Sequence, residues 1–230
     1  MLEEAIGYPT KGDSGIARII IGGTLAFFSF LLIPGIFVGG YMMQVLAATS
    51  RDEELPPDFT DWGVMFVDGL KGFVVGFVYA LVPIIIMIVM FALIGLGNSG
   101  DSTGVLSGIG VLGLLVTFVL AFAVQYLLPA ALTNLARTGN VGAAFDFETL
   151  GPVLKSTEYI TAVVLTLLVA IAGGMFFGVF VAVTLGFGVI LAPFFYFWLY
   201  LAGCYMFGTA FGKEVTPRQE STDRAATSMD

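Results

Sequence analysis

Two carboxamides, Gln125 and Asn134, are the polar side chains set deepest in otherwise apolar sequence, and they are the first candidates for chemistry. An amide in hydrocarbon must donate and accept hydrogen bonds. Such a pair therefore either contacts a polar group on a small solute or holds one helix against another, the commoner use in bundles. Tyr41, Tyr79, Tyr126, Tyr196 and Tyr200 are their possible partners. At the rims of the apolar blocks, Asp68 and Lys71 stand three residues apart, as do Lys155 and Glu158. On a helix this spacing reads as interfacial ion pairs of small net value. A lipid-headgroup site built from both pairs is the sharper alternative. An enzymatic reaction would have to use the interfacial carboxylates Asp58, Asp61, Asp146 and Glu148, which more simply keep connections solvated.

The rest of the catalytic inventory is thin. There is no histidine, and the one cysteine, Cys204, lies within the last apolar block, where it reads as a small buried apolar residue. Neither an internal disulfide nor a histidine base nor a zinc site can be assembled from this set. No nucleophile elbow or phosphate loop is present, so no catalytic residue, cofactor or metal ligand is predicted. No Asp, Glu, Lys or Arg occurs between Gly72 and Ser99, Ser102 and Ala136, or Ile160 and Gly212. Charges at membrane depth are the usual mark of proton-driven transport, and their absence argues against it.

The elements that must position these residues are set by composition. Of 230 residues, 58% are hydrophobic and 11% charged, against about 45–50% and 25% in soluble domains. The excess lies in long uncharged blocks, for which a bilayer is the natural solvent. The predicted fold is all-α, a polytopic transmembrane helix bundle with spans near 19–48, 72–96, 106–136, 160–183 and 189–212. Residues 1–18 form an interfacial segment without a signal-peptide cleavage motif, and 213–230 a disordered polar tail. Pro34-Gly35 sits inside the first block; one helix kinked there is preferred to a hairpin of two short arms, which would raise the count to six. Gly97–Gly104 is a polar turn joining two antiparallel helices. Trp62 opens an amphipathic stretch at headgroup depth. Gly35/Gly39, Gly72/Gly76, Gly104/Gly108, Gly174/Gly178 and Gly208/Gly212 have the spacing of close helix approach, a signal that 30 glycines weaken.

Asp58-Phe59-Thr60-Asp61-Trp62-Gly63 and Asp146-Phe147-Glu148-Thr149-Leu150-Gly151 share a pattern, and each follows a Pro-containing segment, Leu32-Ile33-Pro34 or Leu127-Leu128-Pro129. Leu191-Ala192-Pro193 begins the unit a third time. The chain thus reads as two helix–acidic loop–helix repeats plus a final span. Tyr8-Pro9, Ile21-Gly22-Gly23, Ile33-Pro34-Gly35 with Gly40-Tyr41, Leu55-Pro56 with Asp61-Trp62, and Phe66-Val67-Asp68-Gly69-Leu70-Lys71 together resemble an archaeal membrane family, domain of unknown function 4013, common in haloarchaea. The resemblance runs from Tyr8 to about Gly212. It implies a multi-pass membrane protein of salt-loving archaeal source and carries no mechanism.

A net charge of -8 disfavours nucleic acid as a partner and leaves no polybasic patch. The expected partners are membrane lipids and another membrane protein, in a non-enzymatic scaffold or complex subunit. A facilitator of a small apolar or lipid substrate, with Gln125 and Asn134 lining its path, is the alternative. Five spans would put the termini on opposite faces. The Lys and Arg bias then places both acidic loops and the tail in the cytoplasm and the amino terminus outside; six spans would place both termini inside.

Overall fold

The computed structural model describes residues 1–97 and 103–227, with the backbone alone at 97, 103–104 and 217–227. The polar turn expected at Gly97–Gly104 falls largely on 98–102, outside the described residues. The regular elements are α1 (Leu2–Gly7), α2 (Gly15–Phe27), α3 (Ile33–Ser50), α4 (Trp62–Gly97), α5 (Thr103–Thr138), α6 (Phe147–Lys155), α7 (Thr157–Val183) and α8 (Ala192–Thr227), joined in part by 3-10 turns. Five helical stretches are long and apolar enough to cross a membrane: Ile33–Ser50, Trp62–Leu96, Val105–Thr138, Thr157–Val183 and Phe187–Thr216.

The first block differs from its expected form. It is not one helix kinked at Pro34: α2 ends at Phe27, a 3-10 turn covers Ser29–Leu31, and Leu32 takes a positive φ of 66° before α3 begins. Pro34 lies in the first turn of α3, where its missing N–H is one the helix would leave unpaired anyway. The proline starts a helix instead of bending one. α2, 13 residues and about 20 Å long, is too short to cross the hydrocarbon alone. It is instead packed on α8, where a Cβ at Gly22 would overlap the Phe197 ring and one at Gly23 the Phe194 side chain. The tail also differs. α8 continues through Lys213 to Thr227, where a disordered segment is predicted, even though Pro217 lies within that stretch.

The chain divides into two units, Met1–Phe73 with Pro129–Asp230, and Val74–Leu128. In the first unit α8 packs against α1, α2, α3, α6 and α7. Tyr8, Tyr41, Val45, Met65, Phe197 and Leu201 form one buried cluster, while Ala5, Ala162, Ala202, Met206 and Ala210 form another. Small residues set the closest approaches. A Cβ at Gly40 would overlap the Met65 carbonyl, one at Gly69 the Ile36 carbonyl, and one at Gly212 the Ser50 carbonyl. Of the five spaced glycine pairs, Gly208/Gly212 is the one pressed on another helix at both members, against Thr49 and Ser50. The second unit consists of the outer parts of α4 and α5, where Gly110 and Gly113 admit the side chains of Ile94 and Met90. Its outward residues are apolar almost throughout, as hydrocarbon contact demands.

The pattern of helix, acidic connection and helix occurs twice, as α3 to α4 and as α5 to α7 by way of α6, and α8 follows. The matching residues do different work. Asp146 caps α6 by accepting from the N–H groups of Glu148 and Thr149, whereas Asp58 lies in coil and binds side chains. Phe59 stacks on Tyr41 with ring centroids 4.1 Å apart, while Phe147 is exposed.

Candidate functional site

The polar atoms of the first unit gather at one end. Arg18, one turn into α2, is only 3% exposed. Its guanidinium donates to the carbonyls of Pro9 and Lys11 at 3.1 Å each, and to those of Pro57 at 3.3 Å and Pro56 at 3.4 Å. It also reaches Ser14 Oγ and Asp58 Oδ1, both at 3.3 Å. A planar fork of five donors suits this crowd of acceptors from two chain segments. Prolines supply carbonyls without competing N–H donors, so Pro9, Pro56 and Pro57 make the connection one-sidedly electron-rich. Tyr41 adds a second tie, its hydroxyl donating to the Pro57 carbonyl at 2.9 Å. The Ser14 hydroxyl first, and Arg18 after it, hold the Asp58 carboxyl below the usual carboxylate range. Tyr8 is wholly buried beside this junction, and its hydroxyl has no hydrogen-bond partner among the described residues. Burial pushes that phenol above its ordinary value, with Arg18 acting in the opposite sense.

Beside the junction lies an open cleft of about 330 Å³, lined among others by Gln44, Arg51, Glu53, Asp58, Asp61 and Asp68. Four carboxylates against one guanidinium make it acidic. Among the described residues no three Cys, Asp or Glu side chains are grouped to hold a metal ion. Next to it two helix ends are tied together: Arg137 donates to the Ser50 carbonyl at 2.6 Å, and Arg51, which lines the cleft, donates to the Arg137 carbonyl at 3.1 Å. Each arginine thus satisfies the carbonyl end of the other's helix, where the helix dipole is negative. Lys71 closes the set, donating to Gly139 O at 3.2 Å while its Nζ lies 3.5 Å from Asp68 Oδ1.

The residues singled out from sequence are dispersed. Asp68 and Lys71 meet on α4, but the partner of Glu158 is Lys213 Nζ at 3.4 Å instead of Lys155. The extended backbone of Ser156 (ψ 147°) separates α6 from α7, so Lys155 and Glu158 do not share a helical face. Asn134 is buried and donates to the Ala143 carbonyl at 2.9 Å, tying α5 to the turn that follows it. Gln125 is exposed on α5 and makes no hydrogen bond among the described residues. Asp146 is held below the usual carboxylate range chiefly by the Thr149 hydroxyl and N–H, and is committed to its cap. Arg18 was not recognised as a site residue. Its signal was a lone basic residue at the head of an apolar block, with proline pairs elsewhere offering carbonyls.

The arrangement defines a helical membrane protein in which Arg18, Tyr41, Arg51, Lys71, Asn134 and Arg137 join segments of its own chain. The family described as protein of unknown function (DUF4013) matches residues 27–185, about two-thirds of the chain, and the chain belongs to that family. The match takes in α3 to α7 and leaves Arg18 and α8 outside it. No curated protein and no solved structure matches the chain.

Proposed function

We propose that this protein is a non-enzymatic subunit of a membrane assembly, which it joins through α5. The observation that carries this reading is Gln125, exposed, without a side-chain hydrogen bond among the described residues and 12 residues before Arg137, hence about 18 Å along α5 from it. At that depth an amide facing lipid has nothing to bond, and a polar group buried without a partner costs on the order of 2–7 kcal/mol. A neighbouring membrane helix offering a donor or acceptor removes that cost. Phe122 and Phe118, exposed one and two turns earlier, extend the same face. The facilitator reading is weaker, because Asn134 has its amide committed to Ala143 and is not available beside Gln125. Affinity purification from native membrane in mild detergent tests the reading: a partner should co-purify, and less of it with Gln125→Leu. Recovery of the solitary monomer at native expression would sink it.

The proposal includes a sidedness. Through Arg18, α1 and the start of α8's last turns, the amino-terminal segment, the Arg51–Asp61 connection and the end of α8 share one end of the first unit. Splitting the first block in two therefore groups all 9 Lys and Arg residues of the chain by the connections at that end; none lies between Gly72 and Ala136 or between Tyr159 and Gly212. The enrichment of Lys and Arg in cytoplasmic connections then places both termini inside the cell membrane, replacing the arrangement that five crossings would demand. Cysteines introduced at Glu3 and Ser221, in a Cys204→Ala background, should be labelled only from the cytoplasmic face; labelling of Glu3→Cys from outside would refute it. An acidic wet surface also fits a salt-loving archaeal source.

A further inference from the structure

We infer that the two turns at the far end of the first unit sit within the acyl chains of the distal leaflet and do not emerge into water. This is independent of the assembly proposed above. The first turn is Phe27-Phe28-Ser29-Phe30-Leu31-Leu32-Ile33, between α2 and α3; the second is Thr184-Leu185-Gly186-Phe187-Gly188-Val189-Ile190-Leu191, between α7 and α8. Gly23 against Phe194 brings α2 to the opening turn of α8, so both turns belong to one end. A connection that meets water is ordinarily built of polar residues, as in the exposed Arg51-Asp52-Glu53-Glu54 after α3. These two hold no charge, and their apolar side chains point outward: Phe30 is 76% exposed, Leu185 87% and Phe187 78%.

The backbone is prepared for the same solvent. Irregular chain survives in hydrocarbon only where its polar groups are paired. In the second turn six consecutive N–H groups, from Thr184 to Val189, all have acceptors inside the turn or the end of α7, and the Thr184 hydroxyl both accepts from Gly188 and donates to Phe180 O. In the first, the N–H groups of Phe28, Leu31 and Leu32 are paired, and the Ser29 hydroxyl donates to Leu25 O. Both hydroxyls are thus consumed locally.

Length agrees. From Ser50 back to Ile33, α3 rises about 26 Å, and from Lys213 back to Ala192, α8 rises about 32 Å. With the charged end in one headgroup layer, α3 ends inside a hydrocarbon core about 30 Å thick and α8 near its far edge, and both fall short of the roughly 40–45 Å needed to clear both headgroup layers.

The test is spin labelling in reconstituted phosphatidylcholine vesicles in the Cys204→Ala background, at Ser29→Cys and Leu31→Cys in the first turn, Leu185→Cys and Val189→Cys in the second, and Glu54→Cys, exposed in the charged connection, as the aqueous control. Collision with oxygen, which concentrates in acyl chains, should exceed collision with a water-soluble nickel complex several-fold at the four turn positions, and the ratio should invert at Glu54→Cys. Nickel accessibility at the turns equal to that of Glu54→Cys would overturn the inference. Low accessibility to both probes would overturn it too, since a covering protein surface would then replace lipid. Two positions per turn guard against one variant that fails to fold.

Discussion

Replacing Arg18 with Met keeps the length and apolar stem of the side chain and removes its donors. Six acceptors lose a partner, but two decide the cost: the carbonyls of Pro9 and Pro56, whose bonds to Arg18 are buried. An orphaned buried acceptor costs about 1–3 kcal/mol, so the pair gives roughly 4 kcal/mol at mid-range. For a chain of this size each kcal/mol moves Tm by about 2–4 °C, which predicts a fall of roughly 8–16 °C. Trp62 and Trp198 report unfolding of the detergent-solubilised protein by intrinsic fluorescence. Asp58→Asn should fall well short of Arg18→Met, because Asp58 is largely exposed and its ion pair is screened. Arg18→Lys should lie between the two, a single ammonium being unable to span both chain segments. A shift under about 3 °C for Arg18→Met, or Asp58→Asn matching it, would refute the view that the buried carbonyls carry the junction.

Gly40→Ala should destabilise by about 1–3 kcal/mol or more, since its Cβ meets the Met65 carbonyl and backbone cannot yield as a side chain can; Gly174→Ala, which meets nothing within 4 Å, should be neutral or slightly stabilising in the same thermal assay. Ser156→Ala removes the hydroxyl that accepts from Tyr159 N–H at the start of α7 and should cost about 1 kcal/mol; an unchanged Tm would show the cap to be dispensable. Asp58 and Asp146 both titrate below the ordinary carboxylate range when folded, so the unfolded chain takes up their protons first. Their stabilisation is complete above an unfolded value of about 3.9 and is lost as pH falls from there through the folded values. The acid limb of a Tm–pH curve should flatten in the double variant Asp58→Asn, Asp146→Asn, and an unaltered slope would contradict the assignment.

The long apolar helices were legible because hydrocarbon imposes a composition that no soluble fold shares: the stretches ending at Ala136, Val183 and Gly212 are uncharged for 20 residues or more. The α2–α3 break was not, because a proline at Pro34 reads identically whether it bends a helix or starts one, and the deciding contacts come from Phe194 and Phe197, some 160 residues later. The same distance hid Arg18, whose acceptors are main-chain carbonyls and leave no side-chain signature. Lys155 and Glu158 misled because three-residue spacing implies a pair only within one continuous helix, and Ser156 ends the first and caps the second. For Gln125 the sequence gives depth, and only the fold shows which way the residue faces.

α8 is synthesised after the other seven helices described, yet α1, which precedes them, has its buried face against it, through Ala5 on Ala202, Met206 and Ala210. Gly22 and Gly23 likewise wait for Phe197 and Phe194, and Thr49 and Ser50 for Gly208 and Gly212. During synthesis the early helices therefore reside in the bilayer with their small-residue grooves open to lipid. A chain cut short before residue 192 cannot close them. Synthesis of α8 and closure of these grooves are therefore one event, and a product terminated before α8 carries a recognisable defect along α2 and α3 for membrane proteases to read.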